Sequence, residues 1–180
     1  NHVNLQLRNI LITKDDVSPY AAEAISKTMD CFRYNNNKYY RNLADEEFIF
    51  HTGQYAIFLY YLSKVISFDN PFLASKIYYL NKILHSVDWY YEINLPVYWG
   101  VEHPLGSVLG RAEYKDGLYI YQGVTVGGAN NDNKYPRFGI NTIIYSNASV
   151  LGKTNIGDNV LIATGSILIN ENIPSNSIVF

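Results

Sequence analysis

The stretch FGINTIIYSNASVLGKTNIGDNVLIATGSIL, residues 138–168, decides the fold of this chain. Within it Phe138, Ile144, Val150, Ile156, Ile162 and Leu168 follow one another at intervals of six residues. Thr142, Ala148, Thr154, Val160 and Ser166 stand four places after the first five of these, and all are small or slender. Neither the 3.6-residue period of a helix nor the two-residue period of a flat strand produces such spacing. A triangular coil does: each flat side places one aliphatic side chain inside, and the chain then turns at a corner where only a small side chain fits. Sustained over consecutive repeats, the pattern predicts a hexapeptide β-helix.

The same register runs back through Val126 and Ile120 and resumes at Val101 and Leu95, with one residue too many between Val101 and Ile120. The turn-forming Lys115-Asp116-Gly117 is the expected place for that slip. Between Val126 and Phe138 the pattern is interrupted by Gly127-Gly128-Ala129 and Asn130-Asn131-Asp132-Asn133, which read as a loop thrown out of the coil. In repeat architectures such insertions map to one face and are often the binding element. The coil's side faces stay exposed, so three chains are expected to pack side by side and cover apolar surface that one chain cannot bury.

Residues 18–87 have a different period, with apolar side chains at helical spacing. Ser18-Pro19 supplies an N-cap and a proline for the first turn of a helix running from Tyr20 to Arg33. Asn35-Asn36-Asn37 is the expected break. Asp45 is expected to start the next element, with Phe48, Tyr55, Phe58, Leu59 and Leu62 lining one face up to Ile66. Asp69-Asn70-Pro71 restarts a helix whose buried stripe is Leu73, Ile77, Leu80 and Leu84. The tyrosines of these helices read as core filling. The expected organisation is α+β: a helical N-terminal domain, residues 1–87, followed by a parallel β-helix domain, residues 88–180, with one extruded loop.

Composition narrows the function classes. With 48% hydrophobic residues and a formal charge of −2, the chain is expected to pack as a globular protein and has no electrostatic footprint for nucleic acid. Cys31 is the only cysteine, which excludes an internal disulfide and a cysteine-rich metal site. The longest apolar run, Tyr55 to Leu62, is far short of the roughly 20 residues of a membrane-spanning helix. No signal-peptide pattern opens the sequence, so no membrane association and a cytoplasmic location are expected. The abundance of Asn, Tyr, Ile and Lys is given no structural role.

Two segments carry a family resemblance. Glu102-His103-Pro104-Leu105-Gly106-Ser107-Val108-Leu109-Gly110, followed by Ile120-Tyr121-Gln122-Gly123-Val124-Thr125-Val126-Gly127-Gly128, resembles the serine O-acetyltransferases of the hexapeptide-repeat acyltransferase superfamily. Those enzymes have an acidic residue and a histidine, a glycine three places on, and a Gln-x-Val-Thr-x-Gly-Gly segment. The similarity extends more weakly to Phe50-His51-Thr52-Gly53-Gln54. It implies a left-handed β-helix and an acetyl-CoA-dependent enzyme that needs no metal.

Further implications concern single residues. His103 would deprotonate the acceptor hydroxyl as it attacks the acetyl thioester, and then return the proton to the departing thiolate. A carboxylate on the other ring nitrogen would orient such a base. Ungapped alignment gives that place to Asp88, which could instead cap the preceding helix; Glu92 fits only with a deletion. Glu102 stands where the family has an aspartate for the amino group of serine. Lys134-Tyr135-Pro136 stands where it presents arginine, histidine and proline to the substrate carboxylate, so the bidentate fork of arginine is lost. The pantetheine arm of the donor would run between two chains near Gly127 and Gly128, with Ser146, Ala163 and Gly165 further along, where small residues permit close approach to backbone.

The resemblance thus implies a homotrimer acting on a small molecule. It leaves open whether trimers pair through their helical halves. The acceptor is serine, or a sugar or other small metabolite as in surface-polysaccharide acetyltransferases. The alternative from a different class is a trimeric interaction module without catalysis. A zinc-dependent β-helix enzyme would need three histidines at a chain interface, and of His2, His51, His85 and His103 only the last lies in the coil.

Overall fold

The computed structural model describes residues 1–33, 35, 40, 47–129 and 134–180. Its helices are α1 (His2–Ile10), α2 (Ser18–Arg33), α3 (Thr52–Ser67) and α4 (Pro71–His85), with a 3-10 turn at Glu47–Phe50 before α3. Local chemistry sets their ends. Asn70 caps α4 by accepting from the Leu73 amide at 3.0 Å, Pro71 occupies the first turn, and Ser86 ends the helix in the left-handed region. His51 caps α3 through Nδ1, so the element expected to run through Phe48 is divided at His51 into the 3-10 turn and α3. The proposed start at Asp45 and the breaks at Asn36-Asn37 lie outside the described residues.

α3 is buried almost all round and forms the centre of the helical half, packed between α2 and α4. Leu73, Ile77 and Leu80 of α4 are buried as expected, and Leu84 is half-buried. The sequence reading did not foresee α1. It is anchored by Val3 and Leu7, and by Asn4, whose side chain bonds Asp16, Ser18 and the Val17 amide. Among the described residues, no helix is long and apolar enough to cross a membrane.

From Asp88 onward the chain is a parallel β-solenoid of about five turns with three sheets. The first sheet contains Asp88–Trp89, Val108–Leu109, Thr125–Gly127, Ser149–Leu151 and Ile167–Ile169. The second contains Trp99–Val101, Leu118–Ile120, Ile143–Ile144, Leu161–Ile162 and Ile178–Val179. The third contains Arg137–Phe138, Asn155–Ile156 and Asn172–Ile173. All six residues of the hexad series are buried, and so are Thr142, Ala148, Thr154, Val160 and Ser166. The hydroxyls among the small residues also close turns: Thr142, Thr154 and Ser166 donate to the carbonyls of Gly139, Leu151 and Ala163.

The register slip lies elsewhere than Lys115-Asp116-Gly117. Tyr114 stacks on Phe138 at 5.4 Å, and Glu113 bridges Arg137, so Tyr114 and Ile120 are successive inward positions at the regular spacing. The extra residues fall between Val101, which pairs with Ile120, and Leu109, which pairs with Trp89 and Val126. That longer interval is the segment containing His103. It is partly compensated by a shortened step from Leu109 to Tyr114.

Two tryptophans fill the first coil, Trp89 and Trp99, in edge-to-face contact at 5.3 Å. Trp89 Nε1 donates to Ser107 Oγ, and Trp99 Nε1 to the hydroxyl of Tyr61 on α3. The Tyr60 hydroxyl donates to the Ile93 carbonyl at 2.8 Å. The helical half thereby closes the open end of the coil, and one hydrophobic cluster runs through both halves. The asparagines also have a structural role. Asn141, Asn147, Asn159, Asn170 and Asn176 all take positive φ at corners, a region Asn tolerates better than most residues. Side-chain amides link Asn141 to Asn159 and Asn159 to Asn176, each at 3.0 Å.

Candidate active site

The corner between the second and first sheets carries His103. Because its segment is longer than a regular corner, the chain bulges, and His103 adopts φ +48° with its side chain 75% exposed. Left-handed backbone in a histidine costs on the order of 1 kcal/mol or more and persists only where surroundings enforce it. Here they do: Ser107 N donates to Pro104 O, Gly106 N to Ser86 O, and Glu102 N to Ile120 O. Just before the bulge, the Tyr40 hydroxyl donates to Val101 O at 2.8 Å and accepts from Val101 N at 3.2 Å. The start of α3 presses on the same strand, for a methyl group at Gly53 would lie 3.0 Å from Val101 Cγ2. This contact gives the Phe50-His51-Thr52-Gly53-Gln54 segment a role: it seats the strand Trp99–Val101 that leads into Glu102 and His103. Burial, with His103 nearby, pushes the His51 pKa below its ordinary value.

Glu102 is mostly buried, with Oε1 3.9 Å from His103 Nε2 and Oε2 3.5 Å from the Tyr119 hydroxyl. Asp88 lies across the corner in the first sheet. Its carboxylate accepts from the Tyr78 hydroxyl and pairs with Lys82 Nζ at 2.8 Å, both on α4. Partial burial alone would raise its pKa, but these two donors hold it below the usual carboxylate range. Among the described residues no hydrogen bond joins Asp88 to His103. Glu92 is exposed on the run leading to Trp99.

Lys134 and Tyr135 belong to a different corner, between the first and third sheets. There the Tyr135 hydroxyl accepts from Arg111 Nη1 at 3.2 Å, and the guanidinium lies 5.8 Å from the ring. Arg111, Lys134, Tyr135, Arg137 and Lys153 border a groove of about 450 Å³. Gly127 and Gly128 are on the same side, at the root of the loop, and a methyl group at Gly127 would meet nothing within 4 Å. Residues 130–133 of that loop lie outside the described residues. Ser146, Ala163 and Gly165 instead continue the His103 corner down the coil. The Ser146 hydroxyl is 3.3 Å from that of Thr164, and Gly165 has φ +76° with open space around it. The site residues expected from the sequence therefore stand at two of the three corners of one coil.

A feature the sequence reading passed over adjoins Glu102. Tyr119, Tyr121 and Tyr145 project outward from the second sheet and its corner, and Tyr121 and Tyr145 stack at 4.9 Å. Burial and the Glu102 carboxylate push the Tyr121 pKa up to about 12. With Trp99, Asn35 and Asn141 these tyrosines wall a groove of about 380 Å³. The signal was present in the spacing: Tyr119 and Tyr121 flank inward Ile120, and Tyr145 follows inward Ile144 one coil later.

No family model matches the chain. Over 109 residues, 59% of its length, it is 31% identical to the serine acetyltransferase of Synechococcus elongatus, and over 82 residues it is 38% identical to that of Staphylococcus xylosus. The matches cover 44% and 38% of those proteins, so the chain spans less than half the length of the curated relatives it matches. Its structure is similar to that of serine acetyltransferase from Brucella abortus strain S19 in complex with coenzyme A, with a TM-score of 0.71 over 89% of this chain and 65% of that one at 19% identity. The chain is therefore similar in sequence to serine acetyltransferases over part of its length, and its helices and parallel β-solenoid share their fold, consistent with a hexapeptide-repeat, left-handed β-helix.

Proposed function

We propose that this chain is an acetyl-CoA-dependent O-acetyltransferase whose active site is shared between neighbouring copies of a homotrimer. The observation that carries the reading is the division of the site. His103, Glu102, Ser146, Ala163 and Gly165 line one corner of the coil, whereas Gly127, Gly128, Lys134 and Tyr135 line another. No single chain assembles them, but side-by-side packing brings the loop corner of one copy against the His103 corner of the next. Ile167 and Ile169 of the first sheet are exposed at 68% and 47%, apolar area of the kind such packing covers.

In this reading His103 takes the proton of an acceptor hydroxyl as its oxygen attacks the thioester carbonyl carbon, giving a tetrahedral adduct. The adduct collapses with cleavage of the carbon–sulfur bond, and the imidazolium returns the proton to the departing thiolate. The products are the acetyl ester and coenzyme A, and the enzyme is unchanged. Glu102 stabilises the positive charge on His103 while the proton resides there. Asp88 orients the ring in the assembled enzyme; its pair with Lys82 is about 40% exposed and so contributes little that would oppose the exchange. The open surfaces at Gly127 and Gly165 accept the pantetheine arm.

Serine is the acceptor of the relatives by name, and here Glu102, Lys134 and Tyr135 all depart from the pocket that the resemblance implies. The test is thiol release from acetyl-CoA with serine, homoserine and sugars as acceptors, with His103→Ala alongside. Turnover that vanishes in the variant supports the base. Full activity in His103→Ala overturns it, and failure to bind coenzyme A or acetylate any acceptor replaces the enzyme with an interaction module.

A further inference from the structure

We infer that Arg111, held by Tyr135, is an oxyanion clamp, and that the acceptor is a small hydroxyl-bearing acid. The inference rests on the reading of this chain as an acetyltransferase with a site shared between copies. It adds the class of molecule acetylated and a residue that selects it.

The clamp stands where the first sheet turns toward the third. Arg111 Nη1 donates to the Tyr135 hydroxyl at 3.2 Å, and the guanidinium lies 5.8 Å from the Tyr135 ring. Contact at two points restricts a side chain that would otherwise lose much rotamer freedom on binding a ligand. The bond to Tyr135 uses one of five N–H groups. The edge formed by Nε and Nη2 keeps two parallel donors, which match the paired oxygens of a carboxylate or a phosphate.

The partners of the cations set Arg111 apart. Arg137 is paired with Glu113 at 3.1 Å, whereas Arg111 is bonded to a neutral phenol. Lys134 and Lys153 border the same groove, so its described lining residues include four cations and one carboxylate, in a chain whose formal charge is −2. Its volume of about 450 Å³ suits a small molecule. Side-by-side packing that brings a His103 corner over this groove would remove water from it, and a cation so covered needs a counter-charge. Glu102 serves His103 in the proposed mechanism, so the ligand supplies the charge for Arg111. One copy then holds the oxyanion of the acceptor while its hydroxyl meets the histidine corner of the next.

The test is binding to the intact protein, measured apart from turnover by saturation-transfer NMR at about 0.15 M salt, where long-range surface attraction is screened. Three acids are each paired with a mate that lacks the oxyanion: L-serine with its methyl ester, galacturonate with methyl galactoside, and glycerol 1-phosphate with glycerol. The pair that responds distinguishes carboxylate from phosphate and amino acid from sugar acid. At least one acid should bind tenfold or more tighter than its mate and lose tenfold or more in Arg111→Gln, a change at an exposed position. Arg111→Lys keeps the charge without the fork and should still lose at least threefold. Lys153→Gln removes the same charge from the groove and should cost less than threefold. The inference is overturned if no acid binds, if the mates bind as tightly as the acids, if Lys153→Gln costs as much as Arg111→Gln, or if the loss in Arg111→Gln falls on coenzyme A instead. These outcomes leave the acetyltransferase reading untouched. That reading fails separately, on coenzyme A binding by the unaltered protein and on the His103 variant.

Discussion

His103 Nε2 stands 3.9 Å from Oε1 of Glu102, the residue immediately before it, at a corner where His103 has left-handed backbone. Adjacent residues on an extended strand point to opposite faces and cannot meet in this way. The bulge turns the two side chains together. The proposed base thus comes from the two extra residues that break the coil's period, His103 and Pro104, and the carboxylate from Glu102, the regular position just before them. Substitutions here must separate chemistry from backbone, and asparagine does so, because it tolerates positive φ while lacking a base. His103→Asn is expected to lower kcat by about a hundredfold to ten-thousandfold, the usual range for a general base, with the melting temperature unchanged. Thiol release and calorimetry on the same samples check it. A large fall in melting temperature would assign His103 to the fold.

Glu102→Gln keeps the shape of the side chain and removes its charge. Since Glu102 is mostly buried beside the base, the loss of favourable interaction with the imidazolium is expected to lower kcat about tenfold, corresponding to roughly 1.4 kcal/mol. The acceptor KM should change less than kcat. The opposite split, with KM raised and kcat kept, would make Glu102 a binding group for the acceptor.

The period of six made the coil legible because each inward aliphatic of the hexad series is fixed by the same steric demand. The helices from Ser18 to His85 were legible for a similar reason, with Asn70-Pro71 marking a start that the capping bond confirms. The slip was misplaced because Lys115-Asp116-Gly117 has the composition of a turn, and regular corners use such residues too. What distinguished the true site was pairing: Leu109 had to align with both Trp89 and Val126, a constraint spread over 37 residues. The tyrosine groove was hidden because outward positions of a coil have no obligatory residue type. Likewise, no local pattern indicates that Asp88 would meet Lys82 and Tyr78, since that depends on how α4 docks on the first strand.

Asp88→Asn tests the proposal that Asp88 orients the His103 ring. It is expected to reduce kcat more than tenfold and to destabilise the chain by no more than about 1 kcal/mol, since the Lys82 pair is partly exposed. Glu92→Gln should leave kcat unchanged. A full-activity Asp88→Asn enzyme would leave Asp88 only the tie between α4 and the coil, and reduced turnover in Glu92→Gln would move the role to Glu92.

His85 gives the chain a stability that depends on pH. It is 7% exposed, its Nδ1 lies 2.7 Å from Asn81 Oδ1, and Asn81 donates to the Ala56 carbonyl in α3. Burial lowers its pKa to about 4 from an ordinary value of 6.5. Above pH 6.5 neither the folded nor the unfolded chain is protonated there, and the contribution of the site is fully present. As pH falls from 6.5 to 4 the unfolded chain takes up a proton that the folded one refuses, so stability is lost across that window, up to about 3 kcal/mol. Denaturant melts at pH 7 and pH 5 should differ accordingly, and His85→Gln should reduce the difference. Equal slopes in the two proteins would show that other groups govern it.

The proposed sharing of the site between neighbouring copies predicts complementation that a single-chain site would not show. A chain carrying His103→Ala keeps its loop corner, and one carrying Lys134→Ala and Tyr135→Ala keeps its histidine corner. Each homotrimer alone should be nearly inactive. When the two are unfolded together and refolded as mixed trimers, an interface pairing the intact histidine of one chain with the intact loop of its neighbour is complete. Random assortment makes about a quarter of all interfaces of this kind. Activity should therefore recover to about a quarter of that of the native enzyme, while simple mixing of the folded trimers recovers little. Complementation cannot occur if base and loop act within one chain, so its absence in mixed trimers verified by mass spectrometry would overturn the shared site. Ile167→Glu should act at the same level of structure: a charge on the exposed apolar face disfavours assembly, so the sedimentation coefficient and turnover should fall together while the helical content persists.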